Sequence, residues 1–413
     1  MPTQAVAENQ PLKNRMISDL SIYAARLREF ISICTEEFGT VNAPNSPADQ
    51  QHADAEFNGL ALVLFALQFA HNAPYRRICE ARRVTPDSIA HWWQIPAVPA
   101  AAFKELELTC LPPDERTHVF HSSGTTEQRP SRHFHSAESL AVYEASLWPW
   151  FWRNLRFTIC DLRLAALTPP PAQAPCSSLV HMFEIVRTEL GAEVGAFVGR
   201  VNPDGSWMVD VSAATSAVEC SRRDGKPLLL LGTAFSFVHL LDALESLKLD
   251  FRLPPGSRVM ETGGYKGRSR ALPKTELHAL ITERLGVPAS NIICEYGMSE
   301  LSSQAYEVPL ERRSPTRLEG ASGAQCAGSE TGAPAAARAF HFPPWARAQV
   351  VSPETGREVA DGETGLIRVF DLANVFSVLA VQTEDLAMRR GAGFELIGRA
   401  QLAEPRGCSL TAV

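Results

Sequence analysis

The first 90 residues have the apolar spacing of helices. Within residues 16–38, apolar side chains recur on or near one face, which predicts an amphipathic helix. Residues 41–50 contain two prolines and two asparagines and predict a loop. The apolar run 60–70 is interrupted by Gln68 and is too short to span a bilayer, so it predicts a buried helix at about residues 57–72. We therefore expect residues 1–90 to form a helical segment packed on the main domain.

Beyond residue 90, short apolar segments alternate with helical ones. This alternation predicts one α/β domain over residues 91–399, with helices on both faces of its sheets. The strands predicted to run into small or polar residues are 117–121, 162–167, 228–231, 258–261 and 291–294. Ligands of open α/β sheets bind at the carboxyl ends of strands, so the loops after these strands form the candidate site.

The C-terminal third has a different composition. Residues 313–338 are rich in Ala, Gly and Ser and predict an exposed, mobile loop. Short β-like segments follow and predict a small β-unit at about residues 340–399, with strands at 348–351, 365–370, 376–381 and 394–398. Residues 400–413 are expected to form a flexible arm.

Composition narrows the class of protein. The chain of 413 residues is 45% hydrophobic and 21% charged, as in soluble globular proteins, and its net charge of −7 gives no reason to expect nucleic acid as a partner. The first ten residues lack a secretory signal pattern. The nine cysteines include no C-x-x-C pair, which argues against a disulfide framework and a structural zinc site. We expect a cytoplasmic protein without a membrane span.

A loop rich in hydroxyl groups follows the first predicted strand of the α/β region. It consists of Ser122, Ser123, Gly124, Thr125 and Thr126. Backbone N–H groups and hydroxyls in such a turn can wrap an anion, and Arg129 and Arg132 add positive charge for a polyphosphate. The loop lacks the Gly-Lys-Ser/Thr of a Walker A motif, and a plain turn is its other interpretation. It resembles the phosphate loop of the acyl-adenylate-forming enzymes.

Further motifs follow in the order found in that family. They are Gly263-Gly264 after a strand, the aromatic-Gly-x-Ser/Thr-Glu motif as Tyr296-Gly297-Met298-Ser299-Glu300, Thr383-Glu384-Asp385, and Gly398-Arg399. Glu384 stands where the family usually has Gly. The common order of these motifs and the hydroxyl loop over about 280 residues strengthens the resemblance.

The resemblance implies an adenine site at two of these motifs. Gly263 and Gly264 would let the backbone lie flat against the adenine ring, because no Cβ stands in the way. Tyr296, followed by Gly297, would offer an aromatic face to the same ring. The alternative for Tyr296 is an aromatic core residue at the end of a strand.

The resemblance also implies sites for the phosphates, the ribose and a metal ion. Glu300 and Thr126 would hold Mg²⁺ against the phosphates of ATP. Asp385 would accept hydrogen bonds from the ribose hydroxyls, and Arg399 would reach ribose or phosphate. A solvated carboxylate at a helix start and an Asp in a turn are the alternatives for Glu300 and Asp385.

A set of shorter segments is similar to one branch of the family, the LuxE-type acyl-protein synthetases. The segments are 95–104, 167–182, 232–235, 343–347 and 406–410. Acyl-protein synthetases of this type carry the acyl group on a cysteine of a C-terminal arm, and the resemblance puts Cys408 in that role. Arg406 would lower the pKa of the thiol. A tail cysteine without a role is the alternative.

The chain departs from the wider superfamily after Arg399. Most members continue with a small C-terminal lid domain that supplies a lysine to the site, whereas 14 residues without lysine follow here. We therefore expect no lid domain. Lys266 and Arg268 are candidate replacements for the lid lysine, and a solvated basic turn is their other interpretation.

The function implied is the activation of a fatty or aryl carboxylic acid as acyl-AMP, with ATP and Mg²⁺, followed by acyl transfer to a thiol. The acceptor is Cys408 and then a partner protein such as a reductase, or else coenzyme A or a carrier protein. A non-catalytic adenylate-binding protein and a helper subunit of a fatty-acid reductase complex stay open as alternatives. The acyl pocket has five candidate lining residues, Trp92, Trp93, Phe235, Phe237 and Met298, and core packing is their other interpretation.

Overall fold

The computed structural model describes residues 9–37, 47–122, 129–155, 161–193, 196–263, 272–309 and 338–400. The helices are α1 Asn9–Glu37, α2 Pro47–His71, α3 Ala73–Ala81, α4 Ala102–Glu105, α5 Ala137–Leu155, α6 Ser178–Glu189, α7 Val211–Asp224, α8 Ala234–Ser246 and α9 Lys274–Leu285. The strands are β1 Val98–Pro99, β2 His118–His121, β3 Arg132–His135, β4 Arg163–Ala166, β5 Gly199–Val201, β6 Trp207–Val209, β7 Leu228–Thr233, β8 Arg258–Thr262, β9 Ile292–Tyr296, β10 Ala305–Pro309, β11 Arg338–His341, β12 Ala346–Val351, β13 Thr364–Asp371, β14 Ala380–Arg390 and β15 Gly393–Arg399.

Within the described part of the chain, eleven strands form one continuous sheet in the order β12-β13-β14-β15-β11-β10-β9-β8-β7-β4, with β1 beside β14. Strands β4, β7, β8 and β9 are parallel, and helices connect them. Strands β9 to β15 pair antiparallel. The sheet therefore has a parallel half and an antiparallel half, which meet where β10 pairs with β9.

Both faces of the parallel half are buried, because successive side chains of a strand point to opposite faces. In β7, Leu228 and Leu230 pack with α7, α8 and α9, whereas Leu229 and Leu231 belong to the core formed with α5 and α6. Strands buried on both faces are nearly continuous apolar runs. The predicted α/β class, with helices on both faces of the sheet, is confirmed.

The strands near the C-terminus extend this sheet. Strand β11 connects them, since it pairs with β10 on one side and β15 on the other. Three of the predicted strand segments, 348–351, 365–370 and 394–398, lie within β12, β13 and β15. The prediction for 376–381 was wrong, because β14 begins at Ala380 and residues 376–379 form part of a buried loop. Residues 313–337 of the predicted loop at 313–338 lie outside the described residues, and Arg338 begins β11.

Helix α2 contains the segment Asp49–His71, which is long and apolar enough to cross a membrane by length and composition alone. Its side chains Phe57, Leu64 and Phe65 are fully buried in the core. Gln68 is also buried, and its amide donates to the backbone oxygens of Asn374 at 2.7 Å and Val375 at 3.1 Å. The helix is therefore built into the core, as the sequence predicted, although it begins at Pro47 inside the predicted loop.

Candidate active site

Strands β7, β8 and β9 end together at one edge of the sheet. Thr233 is in register with Thr262, and Thr262 with Glu295. After β8 the backbone turns at Gly263, whose φ of +71° lies in the left-handed region that favours glycine. The predicted strand-end loops therefore lie side by side, as expected for parallel strands.

Three of the predicted motifs meet through side-chain hydrogen bonds. Tyr296, at the end of β9, donates its hydroxyl to Asp385 Oδ2 at 2.9 Å. Arg399, at the end of β15, donates from Nε to Asp385 Oδ1 at 3.2 Å and from Nη2 to Glu384 Oε2 at 3.3 Å. The antiparallel pairing of β14 with β15 sets Asp385 opposite Arg399. Residues far apart in sequence thus form one polar cluster beside the ends of β8 and β9.

An aromatic group packs around the Tyr296 ring. The rings of Phe340, Phe342 and Phe394 lie edge-on to it, with centroids 5.4–6.3 Å away. The Tyr296 side chain is almost fully buried, and its hydroxyl is bonded to Asp385. Its orientation is therefore fixed by packing on one side and by a hydrogen bond on the other.

Ser122, the first residue of the hydroxyl loop, is described and contacts Ser131, which lies beyond the loop. In the hairpin of β2 and β3, the Ser131 backbone N–H donates to Ser122 Oγ at 3.0 Å. Ser131 Oγ lies 3.5 Å from Ser299 Oγ, in the motif that follows β9. The start of the loop is thus held, through Ser131, near Ser299, while residues 123–128 lie outside the described residues.

Glu300 lies directly beyond this contact. Its side chain is 1% exposed, and the Ser299 hydroxyl donates to Glu300 Oε2 at 3.0 Å. His133 of β3 packs against the same turn, with Nδ1 at 2.8 Å from the Ser299 carbonyl oxygen. Burial lowers the pKa of His133 to about 4, so its ring is neutral at pH 7. A buried carboxylate among hydroxyl oxygens is the kind of donor set that suits Mg²⁺.

A buried aspartate at the end of β13 fixes the turn after Glu300. Asp371 Oδ2 accepts hydrogen bonds from the backbone N–H groups of Ser302 and Ser303, each at 2.8 Å. Asn374 donates from Nδ2 to the Glu300 carbonyl oxygen at 3.0 Å. Asp371 and Asn374, which belong to the antiparallel half of the sheet, therefore position Glu300 and the turn after it, at the end of the parallel half. No motif in the sequence predicts this contribution of Asp371.

A pocket opens on the face of the sheet opposite Tyr296. Glu295, the neighbour of Tyr296 in β9, lines it, because successive side chains of a strand point to opposite faces. It lies between α5, α6 and the ends of β8 and β9, and it is lined by Tyr143, Ser178, Leu179, Met182, Thr262, Glu295, Gly297, Met298 and Gln304. The Thr262 hydroxyl donates a hydrogen bond to Glu295. Burial raises the pKa of Glu295 to about 7. A charged residue that interrupts the apolar run of β9 was the signal in the sequence that could have identified this group.

Of the predicted lining residues, only Met298 borders this pocket. Trp92 packs edge-on against Phe57 and Phe370, and Phe237 lies in the core under α8. Trp93 is 47% exposed, and Phe235 stacks on His239. These four aromatic residues therefore do not line this pocket, and Trp92 and Phe237 follow the other interpretation, core packing.

Several predicted site residues lie outside the described residues. They are Ser123, Gly124, Thr125, Thr126, Gly264, Lys266, Arg268, Arg406 and Cys408. Arg129 and Arg132, on the described flank of the loop, lie 3.7 Å from Glu105 and 3.4 Å from Glu107 respectively.

Comparison with known proteins gives one sequence relative and a group of structural neighbours. No protein-family model matches the chain. A long-chain-fatty-acid–luciferin-component ligase from Aliivibrio fischeri is 22% identical over 198 residues, which are 45% of this chain and 45% of the relative. The match thus spans less than half of that relative.

The solved neighbours cover more of the chain. A 2-hydroxyisobutyryl-CoA ligase in complex with 2-HIB-AMP and CoA, in its thioesterification state, superposes with a TM-score of 0.60 over 86% of this chain and 69% of its own, at 15% identity. The same enzyme with 2-HIB-AMP, in the postadenylation state, gives 0.58 over 84% and 68%, also at 15% identity. The chain therefore has the fold of the acyl-adenylate-forming enzymes, and part of its sequence resembles a long-chain-fatty-acid–luciferin-component ligase.

Proposed function

We propose that the protein activates a carboxylic acid with ATP as an acyl-AMP and then transfers the acyl group to a thiol. The observation that carries this proposal is the contact of Tyr296, Asp385 and Arg399 beside the end of β8. A carboxylate that accepts from a tyrosine and an arginine is held in one orientation, and ribose hydroxyls can donate to its remaining lone pairs. In our proposal, the adenosine lies between this carboxylate and the strand end at Gly263.

The chemistry needs positioning and charge stabilisation. A carboxylate oxygen of the acid attacks the α-phosphorus of ATP, the bond to the bridging oxygen breaks, and pyrophosphate leaves. In our proposal, the hydroxyl loop and Arg399 hold the phosphates, and Asp385 holds the ribose. The acid would lie on the other side of β9, in the pocket beside Met298, so that the two substrates meet at Gly297.

Magnesium fits the residues present. Glu300 offers a buried carboxylate next to the hydroxyls of Ser299 and Ser131, which is an all-oxygen donor set. We propose Glu300, together with Thr126, as its ligands. When bound, the ion would neutralise charge on the phosphates. The neutral state of His133 adds no competing cation at this turn.

The second half-reaction needs a thiol. The sulfur attacks the acyl carbonyl carbon, the bond to the phosphate oxygen breaks, and AMP leaves. We propose Cys408 as the first acceptor, with a partner protein taking the acyl group from it. Coenzyme A or a carrier protein is the alternative acceptor, and the solved neighbour that binds CoA shares the fold. We also propose that Lys266 or Arg268 stabilises the charge on the α-phosphate, that residues 1–90 form a helical segment packed on an α/β domain of residues 91–399, and that the protein is cytoplasmic.

Acid-dependent exchange of labelled pyrophosphate into ATP tests the first half-reaction. We expect exchange only when ATP, Mg²⁺ and a suitable acid are all present. Glu300→Gln should lower it strongly, whereas Glu354→Gln, on an exposed turn, should leave it unchanged. Absence of exchange with a broad panel of acids would favour a non-catalytic adenylate-binding protein.

A labelled acid tests the acceptor. Incubation with ATP should leave a hydroxylamine-labile acyl group on the protein, and Cys408→Ser should remove this label while preserving pyrophosphate exchange. Cys220→Ser, in α7, is the matched control and should keep both. A label that persists in Cys408→Ser would move the acceptor elsewhere, and transfer only to coenzyme A or a carrier protein would favour the ligase alternative.

A further inference from the structure

A buried carboxyl group forms part of the wall of the pocket beside β9. Glu295 is 7% exposed, and the Thr262 hydroxyl donates to its Oε2. The other oxygen, Oε1, lies over Gly297, where a Cβ would come within 2.3 Å of it. Within the described residues, Oε1 has no hydrogen-bond partner. One acceptor oxygen is therefore available at the pocket.

Within the described residues, the rest of the lining supplies no counter-charge. Tyr143, Ser178 and Gln304 add neutral polar groups, and Leu179, Met182 and Met298 add apolar ones. None of the described lining residues is a lysine or an arginine. An apolar ligand in this pocket would remove water from Glu295 and give back no hydrogen bond, which is unfavourable.

The pocket is also small. The space that it encloses is about 20 Å³, room for about one water molecule, and the larger empty volume of about 290 Å³ includes open solvent. On the neighbouring strand β10, Tyr306 is in register with Glu295 and is fully buried. The pocket therefore does not extend from Glu295 towards β10. This geometry favours a short acyl group over a long alkyl chain.

We propose that the acid bound beside β9 is short and carries a hydroxyl or amino group that donates a hydrogen bond to Glu295. This inference rests on the proposed function and names the substrate class of the same site. A donor from the ligand would supply the hydrogen bond that Oε1 lacks. Burial raises the pKa of Glu295 to about 7, so a donor or an ammonium group would also stabilise its ionised form.

Matched acids test the proposal. Pyrophosphate exchange would be measured with pentanoate, 5-hydroxypentanoate, 5-aminopentanoate, butanoate, 3-hydroxybutanoate and tetradecanoate. We expect at least one hydroxy or amino acid to exceed its parent acid in kcat/KM by tenfold or more, because a site built to hydrogen-bond a polar group discriminates against an analogue that lacks it. Glu295→Leu should reduce the ratio of kcat/KM between the substituted acid and its parent acid to about one. Glu295→Gln, which keeps an acceptor oxygen, should retain part of this preference.

Glu261→Gln is the matched control. Glu261 is a buried carboxyl in the neighbouring strand and is bonded to Cys294 on the other face of the sheet. It acts on Glu295 through its charge but does not line the pocket, so its substitution should preserve most of the ratio. A wild-type preference for tetradecanoate or for the unsubstituted acids would overturn the inference, as would a ratio unaltered in Glu295→Leu.

A binding measurement separates this inference from the proposed function. The shift in melting temperature caused by each acid would be measured without ATP, in wild type and in Glu295→Leu. If no acid supports exchange, the proposed function fails. In that case, a shift given by a hydroxy or amino acid, and lost in Glu295→Leu, would still support the inference. No shift with any of the acids would overturn it.

Discussion

At the scale of single residues, the candidate site depends on contacts between strands that are remote in sequence. Asp385 binds Tyr296 across the end of the sheet and Arg399 across a β14–β15 pair. Each residue alone is common on protein surfaces. Together they produce a carboxylate with fixed orientation, which is what recognition of two adjacent hydroxyls requires.

The first prediction concerns Asp385. Asp385→Ala should weaken ATP binding by about 1.5–3 kcal/mol, or roughly 10- to 150-fold, because hydrogen bonds to a charged group are lost. Asp87→Ala, on an exposed turn, is the control. Calorimetry would measure both. Unchanged affinity in Asp385→Ala would remove this residue from the nucleotide site.

The second prediction concerns the pH dependence of stability. The pKa of Glu295 is raised from 4.5 to about 7, so between these pH values the folded state holds a proton that the unfolded state has lost. The contribution of Glu295 to stability must therefore fall as pH rises through this window. Relative to wild type, Glu295→Gln should gain on the order of 2–3 kcal/mol in free energy of unfolding between pH 4.5 and 7.5.

The comparison with wild type is needed because buried histidines act in the opposite direction. Burial lowers the pKa of His133 to about 4 and also lowers the pKa of His135, so the contribution of both rings to stability rises with pH until the unfolded-state pKa of about 6.5 is passed. Urea unfolding at a series of pH values, for wild type and Glu295→Gln, isolates the carboxyl. A difference that does not change with pH would show that Glu295 is ionised throughout.

At the scale of elements, the sequence predicted the parallel strands and their polar ends well. Strand β7 is a continuous apolar run, and the small residues after β8 identify a strand end without any alignment. Asp371 could not be assigned, because its partners Ser302 and Ser303 are brought to it by the pairing of distant strands. For the same reason, Glu295 could not be placed in a pocket. The faces of a strand follow from its sequence, but the elements that cover each face do not.

The third prediction tests α2 as a core helix. Gln68 donates to two backbone oxygens and accepts from the Leu379 N–H at 2.9 Å. Gln68→Ala would leave these buried groups without partners and should reduce the free energy of unfolding by about 2–4 kcal/mol. Gln51→Ala, on the exposed side of the same helix, should change it by less than about 0.5 kcal/mol. Equal effects of the two substitutions would contradict this packing.

The fourth prediction concerns the hydroxyl loop. Ser122, at the start of the loop, is bonded to Ser131 beyond it, so a change between these two residues should spare the fold. Thr126→Ala should lower the pyrophosphate exchange rate and keep the melting temperature within a few degrees of wild type, because the hydroxyl would contact phosphates that move during adenylation. Thr355→Ala, on an exposed turn, is the control. Exchange at the wild-type rate in Thr126→Ala would show that the loop is only a turn.

At the scale of the whole molecule, the two halves of one sheet supply different parts of the site. The parallel half contributes the strand ends at Thr262 and Tyr296, and the antiparallel half contributes Asp385, Arg399 and the Asp371 support. The nucleotide in our proposal lies on one side of β9 and the acid on the other. Our central claim is that, beside β9, a carboxylate oxygen of the acid forms a bond to the α-phosphorus of ATP.

Isotope transfer tests that claim most directly. The acid would be labelled with ¹⁸O in its carboxyl group and incubated with the protein, ATP, Mg²⁺ and an excess of thiol acceptor, and the products would be analysed by mass spectrometry. Acyl-AMP formation followed by thiol attack leaves one carboxyl oxygen on the phosphate, so the account predicts one ¹⁸O in AMP and none in pyrophosphate. Label in inorganic phosphate together with ADP, or AMP without label, would contradict it.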